Sequence, residues 1–301
     1  MAEFARPCAD RPIRLCVIAD PHIAANTTGT WKMAHRSEPL FARALATATR
    51  LDPSVTLLAG DLTGDGRPDS FHVVDSLLSE FDADWVAVPG NHDVPKAFDG
   101  HDPPSPAFET RYGALPTSIE AGSVTVLAMN TASAPDHSLR TTWGGKLGEQ
   151  GRRWLRDRLT TVETPVIVFH HNVGALPDAP GDKYQHFQLE DAEEVTEILS
   201  AHDVPLVITG HHHVPAINAH GATMEVIAPA VCSYPQAMLS VDIDQDGTII
   251  RLIPLATQDE VAAARRAAVT GKPLATGVAQ LVDRRIDTLP LWQRSATDRQ
   301  D

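Results

Sequence analysis

Cysteine is scarce: the 301 residues hold only Cys8, Cys16 and Cys232, an odd set without CxxC spacing, so neither a disulfide framework nor a thiolate zinc site is expected. Long apolar runs are missing as well. None approaches the roughly 20 residues that span a bilayer, and the opening stretch, with Glu3, Arg6, Asp10 and Arg11, lacks the apolar segment of a signal peptide. A cytoplasmic protein without a membrane span is the expectation. Positive charge is also short, since 25 Lys and Arg face 39 Asp and Glu for a formal net charge of -14. No cluster of basic residues interleaved with aromatics offers a track for a polyanion, so a nucleic-acid polymer is not an expected partner and a small substrate fits better. Neither an internal repeat nor a low-complexity tract is present.

What the chain does have is five short blocks rich in His, Asp and Asn. In order they are Asp20-Pro21-His22, Gly60-Asp61, Gly90-Asn91-His92-Asp93, His170-His171 and Gly210-His211-His212-His213. Each follows an apolar run that reads as a buried strand, at residues 15–19, 55–59, 85–88, 166–169 and 206–209. Strands of one parallel or mixed sheet present their carboxyl ends at a common edge, so groups distant in sequence can meet there. Singly, a Gly-Asp or Gly-Asn-His-Asp is most often turn chemistry, and neighbouring histidines are often a polar loop. Five ligand-bearing blocks, all placed after apolar strands, are hard to attribute to turns, and they predict a metal pocket.

Strand and helix alternate up to residue 209, with helical spacing at 39–50, 69–81, 150–159 and 190–201 and a further strand at 124–129. Residues 95–116, rich in Pro, Gly and Asp, read as a surface excursion long enough to act as a rim or lid near the third block. Strand-like runs follow at 223–227, 238–243 and 248–253, with Asp246-Gly247 as a hairpin turn, and this shift suggests a second sheet packed on the first. Residues 1–255 are thus expected to form one domain. Residues 256–301, with helical stretches at 261–269 and 278–286 separated by Gly271 and Pro273, are expected to form a C-terminal helical extension on its outside.

Carboxylate, amide oxygen and imidazole together suit Mn, Fe or Zn, whereas a site for Ca or Mg alone rarely uses so much imidazole. The blocks supply Asp20, His22, Asp61, Asn91, His170, His211 and His213, which is generous for one ion. Two divalent ions about 3.5 to 4 Å apart, bridged by a carboxylate and a hydroxide, would use the whole set, and that spacing serves in-line attack on phosphorus. Asp61 is the natural bridge. Asp20 and His22 can reach one ion only if the chain leaves its strand in a tight turn, which Pro21 helps to fix. Two such ions against two carboxylates and a hydroxide leave the pocket at about +1, so local charge overrides the global sign for a small anion. Beside the blocks, Lys96 and Lys32 are the basic residues to consider.

The ordered set D-x-H, G-D, G-N-H-[D/E], H and G-H-x-H resembles the calcineurin-like metallophosphoesterase superfamily. The stretches Gly60-Asp61-Leu62-Thr63, Val88-Pro89-Gly90-Asn91-His92-Asp93 and Gly148 through Trp154-Leu155 are similar to its class III cyclic-nucleotide phosphodiesterase branch, and the resemblance covers about residues 13–255. It implies an α/β fold, a four-layer α/β/β/α sandwich of two mixed sheets flanked by helices. It also implies that Asp20, His22 and His213 hold one metal, Asn91, His170 and His211 the second, and Asp61 both. His92 would protonate the leaving oxygen or stabilise phosphoryl charge, with Asp93 either orienting its imidazole or capping the loop. Asn91, His92, His171 and Asn172 are the expected substrate contacts. Two departures stand out: Gly64 where relatives often carry an acidic residue, with Asp65 one place later, and Asn172-Val173 where many carry two prolines.

The resemblance implies hydrolysis of a small phosphodiester, of the cyclic nucleotide or glycerophosphodiester type, by a metal-bridging hydroxide. A phosphomonoesterase or nucleotide pyrophosphatase on the same site, and a metal-binding scaffold without turnover, are the competing readings. A homo-oligomer is compatible with the sequence. The other histidines, among them His101, His137, His186 and His220, read as solvated or locally hydrogen-bonded.

Overall fold

The computed structural model describes residues 13–24, 31–94, 105–132, 144–176, 179, 187–244 and 246–286; Cys8, Lys96, His101, His137 and His186 lie outside them. The described strands are β1 (Ile13–Ile18), β2 (Val55–Leu58), β3 (Trp85–Ala87), β4 (Thr117–Ala121), β5 (Val124–Ala128), β6 (Pro165–Val168), β7 (Leu206–Thr209), β8 (Ala216–His220), β9 (Thr223–Ile227), β10 (Ala237–Asp244) and β11 (Gly247–Pro254). The helices are α1 (Ser37–Leu51), α2 (Pro68–Ser79), α3 (Ser105–Tyr112), α4 (Gly148–Leu159), α5 (Ala192–Ala201), α6 (Gln258–Val269) and α7 (Pro273–Ile286).

One sheet has the order β11-β10-β1-β2-β3, in which β1, β2 and β3 are parallel and β10 pairs antiparallel with β1, Cys16 opposite Ser240. The other has the order β4-β5-β6-β7-β9-β8, with a parallel centre and antiparallel edges. Strands therefore divide differently from the expectation that the runs after residue 209 form the second sheet. In fact β10 and β11 close onto the first sheet, while β5, β6 and β7 belong to the second together with β9. An apolar run tells that a strand is buried, but its neighbours are set by long-range packing. Edge strands β4 and β8 were not anticipated, because each is partly exposed and carries a mixed polar pattern.

Alternation along the strands makes the layers. Leu15, Val17 and Leu57 of the first sheet meet Val126, Val168 and Ile208 of the second in a core between the sheets. The intervening Cys16, Ile18 and Leu58 face Phe41 and Ala44 of α1 and Val74 of α2. On the far side, Ile167 and Val207 face Leu155 of α4 and Val195 and Leu199 of α5. The result is two mixed sheets between helical layers.

The expected rim is anchored in part: α3 buries Phe108 completely, its ring 6.4 Å from that of Phe71. Residues 95–104 lie outside the described set. Helices α6 and α7 pair through Ala264, Ala268, Ala279 and Val282 and pack on Met33, Val214, Ile227 and Tyr234, three of which adjoin residues of the site described below. Helix α6 begins with a capping box between Thr257 and Glu260, and Glu260 is also ion-paired with Arg36 and Arg43. Among the described residues no helix is long and apolar enough to cross a membrane.

Candidate metal centre

The five blocks converge at the carboxyl ends of β1, β2, β3, β6 and β7, three from one sheet and two from the other. Asp20, His22, Asp61, His211 and His213 all have left-handed backbone, with φ of 54°, 48°, 49°, 73° and 59°. Each such L-residue costs on the order of 1 kcal/mol and persists only where its surroundings over-determine it. Here the blocks hold one another. Asp20 N–H donates to Gly60 O at 3.0 Å, His22 N–H to Asp61 O at 2.9 Å, and His211 N–H to Asp20 Oδ2 at 3.0 Å. Two left-handed residues flanking Pro21 make the tight turn that the Asp20–His22 spacing requires. Glycine is needed where the blocks touch. A Cβ on Gly60 would stand 2.3 Å from His170 Nδ1, and one on Gly90 would stand 2.1 Å from Asp61 Oδ1.

Asp61 lies at the centre. Its Oδ2 is 3.3 Å from His22 Nε2, and its Oδ1 is 3.5 Å from His170 Nε2 and accepts the His92 N–H at 2.8 Å. On the His22 side, His213 Nε2 is 3.1 Å from His22 Nε2 and 3.3 Å from Asp20 Oδ1. On the His170 side, the rings of His170 and His211 are 4.8 Å apart. Asn91 is buried, and neither atom of its amide has a hydrogen-bond partner. The rings are set from behind: His170 Nδ1–H donates to Ala59 O at 2.8 Å and His213 Nδ1 pairs with Ser233 Oγ at 2.7 Å, so both turn Nε2 inward.

Protonation follows from burial and neighbours. Burial holds His22, His171 and His211 well below the usual imidazole range, assisted by Lys32 at His22 and by fellow imidazoles at the other two. Neutral imidazole is the form that binds a metal. For His170, burial opposes the charge, yet Asp61 and Asp20 outweigh it and carry its pKa to about 9. Burial likewise opposes the charge on Asp61, and His170, His92 and His22 overcome it and hold that carboxyl well below its normal value.

Donor atoms of His22, Asp61 and His92 lie within 4.8 Å of one another, as do those of Asp20, Asp61 and His170, of His170, His171 and His211, and of His22, His213 and Cys232. Buried His171 Nε2 and His211 Nε2, like the Asn91 amide, have no hydrogen-bond partner. Leaving such atoms unsatisfied costs about 1–3 kcal/mol each. Divalent cations among carboxylate, amide and imidazole donors would satisfy them, and this donor set fits Mn, Fe or Zn.

The structure places three further expected residues as follows. The Asp93 carboxylate accepts N–H bonds from Gly90, Leu62 and Thr63 at 2.9, 3.1 and 2.7 Å and the Thr63 hydroxyl at 3.0 Å, so it ties the second block to the third. The orienting contact to His92 comes instead from the Gly64 carbonyl, 2.8 Å from His92 Nδ1. Burial and the charge of Asp61 push Asp93 up to about 7. Asn172, expected at the substrate, is fully buried and donates to Thr209 Oγ1 at 2.6 Å. His171 is buried too, its Nδ1 3.0 Å from Thr131 Oγ1 and its ring 4.6 Å from that of His211, which aligns it with the metal-side imidazoles and not with an open face.

Other neighbours carry no motif. Glu225, fully buried on β9, accepts the N–H groups of Val173 and Gly174 at 2.8 and 3.1 Å and pairs with His220 at 2.8 Å, pinning the loop that follows His171. The Trp31 ring lies 5.2 Å from that of His213, and Phe187 lies 5.1 Å from His211. Only their positions in the fold bring these residues here.

Comparison with known proteins shows the family and the fold. The profile of the family described as calcineurin-like phosphoesterase matches residues 13–215. A probable cyclic nucleotide phosphodiesterase of Synechococcus sp. is 27% identical over 217 residues, 70% of this chain and 80% of that protein. Another of that description, from Rhodococcus erythropolis, is 24% identical over 193 residues, 60% of this chain and 58% of that protein. Among solved structures, a dimetal phosphatase from Danio rerio superposes with a TM-score of 0.65 at 17% identity, covering 81% of this chain and 96% of that one. A purple acid phosphatase from yellow lupin seeds gives a TM-score of 0.58 at 12% identity, covering 83% and 52%.

Proposed function

Because the chain belongs to the calcineurin-like phosphoesterase family and is a metal-dependent phosphoester hydrolase, we propose that it uses two divalent ions, Mn, Fe or Zn, to hydrolyse a small phosphodiester of the cyclic nucleotide or glycerophosphodiester type. The observation that carries this reading is the Asp61 carboxylate, which turns one oxygen toward His22 and the other toward His170. Asp20, His22 and His213 are assigned to one ion, Asn91, His170 and His211 to the second, and Asp61 to both. When bound, such a pair supplies Lewis acidity and lowers the pKa of the attacking water. Diester preference is supported by the names of the two bacterial relatives and by the weak positive charge, about +1, that two divalent ions would leave in the pocket of a chain that is acidic overall.

The chain's own groups supply the remainder. His92 has its Nδ1–H engaged by the Gly64 carbonyl, so its Nε2 faces the substrate side and can hold a proton toward the leaving oxygen. Asp93 keeps the second and third blocks in register, and Trp31 and Phe187 lie against the rings of His213 and His211.

The test is metal analysis of protein purified without chelator, followed by assay on phosphodiesters, phosphomonoesters and cyclic nucleotides with added Mn. Two ions per chain and faster turnover of diesters are expected. His92→Ala should keep its metal and slow alkyl diesters more than aryl ones, since only the former need a proton on the leaving oxygen. A full metal complement with no hydrolysis of any phosphoester would make the protein a binding scaffold.

A further inference from the structure

We propose that Lys32 is a phosphate-binding residue, its ammonium taking a non-bridging oxygen of the substrate's phosphoryl group beside His92. This rests on the phosphoesterase reading above. Lys32 Nζ lies 3.2 Å from His92 Nε2, and 3.2 and 3.4 Å from the two ring nitrogens of His22. Nearly equal distances to both nitrogens put the amine against the His22 ring and not on the lone pair of Nε2, which stays directed at Asp61 Oδ2, 3.3 Å away. The amine therefore borders the first ion's position without filling it.

His92 fixes the direction of the other contact. Its Nδ1 donates to the Gly64 carbonyl, so Nε2 is the acceptor and Lys32 the donor. An incoming phosphoryl oxygen is a stronger acceptor than this neutral nitrogen, and accepting from Lys32 would release His92 Nε2 to take up a proton from solvent, which it can then pass to the leaving oxygen. Among the described residues no carboxylate forms an ion pair with Lys32, which is half-buried. A cation beside an imidazole that holds a dication is opposed by like charge, and an anion placed between them removes the conflict. The backbone is anchored on both sides: Trp31 lies against His213, and Met33 is buried among α6 and α7. Lys32 thus reaches the site from a fixed base, in a chain whose net charge of -14 would otherwise repel the substrate.

The experiment uses the Mn-loaded full chain, with inorganic phosphate titrated by calorimetry and KM and kcat measured for one diester. A charge-assisted hydrogen bond is worth about a 10- to 100-fold change in affinity, so Lys32→Met should weaken phosphate binding and raise KM by that factor while kcat changes much less. Lys32→Arg, which keeps the charge, should recover most of the loss. Metal content must equal that of the unmodified chain in both variants. If Lys32→Met with full metal binds phosphate as tightly as the unmodified protein, the proposal is wrong. Should the unmodified protein hydrolyse no phosphoester, the phosphoesterase reading fails, and phosphate affinity still decides the role of Lys32.

Discussion

Stripped of metal, the protein should lose stability as pH rises from neutral, mainly through one residue. His170 is completely buried against Asp61, and its pKa rises from the usual 6.5 to about 9. A group with a raised folded pKa contributes stability that is complete below its unfolded value and is lost as pH climbs through the folded one. At about 1.4 kcal/mol for each pH unit, the rise is worth about 3 kcal/mol in all, of which about 2 kcal/mol disappears between pH 7 and pH 9. His22, His171 and His211, held well below the usual range, titrate outside this window, and Asp93, pushed up to about 7, is half ionised at its start and adds only about 0.4 kcal/mol in the same direction. Urea unfolding of chelator-treated protein at pH 7 and pH 9 measures the loss. Asp61→Asn removes the partner of His170 and should flatten the difference, and metal should flatten it too by taking the place of the proton. Equal pH dependence in the metal-free parent and in Asp61→Asn would refute the reasoning.

Metal binding at pH 7 should release about one proton, mainly from His170, so calorimetric enthalpies should vary with the ionisation enthalpy of the buffer, and affinity should fall as pH is lowered. Gly90→Ala places a methyl 2.1 Å from Asp61 Oδ1 and 2.4 Å from Asp61 N, and is expected to abolish stoichiometric metal binding by displacing that carboxylate. Glu225→Ala strips two backbone N–H groups and His220 of their acceptor; a loss of about 3–5 kcal/mol is expected in denaturant unfolding, with metal affinity about 10- to 100-fold weaker.

Much of the site was legible because its residues come in blocks, and each block sits where an apolar strand gives way to a loop. The strand before Asp20 and the one before His211 could be read from their apolar runs alone. Pairing partners could not: nothing local in residues 238–243 says that β10 lies beside β1 and not beside β9. Phe108 was hidden because Pro and Gly around it signal a loop, while its burial depends on Phe71 and Tyr112. The contact that orients His92 is a backbone carbonyl, which leaves no mark on residue type, so the acidic neighbour Asp93 drew that role instead. Lys32 is marked in the sequence only as a basic residue to consider beside the blocks, and Cys232 and Glu225 stand in segments without a motif; tertiary placement alone shows what each of them touches.

The blocks are shared between two sheets, Asp20, His22, Asp61 and Asn91 from one and His170, His211 and His213 from the other. With the ligands assigned above, neither ion can be captured by half a sandwich, because each draws on both rows of strand tips. Occupancy must follow docking of the halves, and the bound cations then rivet the seam. Their separation is gauged by the apolar filling behind it, so trimming Val17 or Ile208, which fill the space between the sheets and are not themselves ligands, would let the rows slip and retune the spacing.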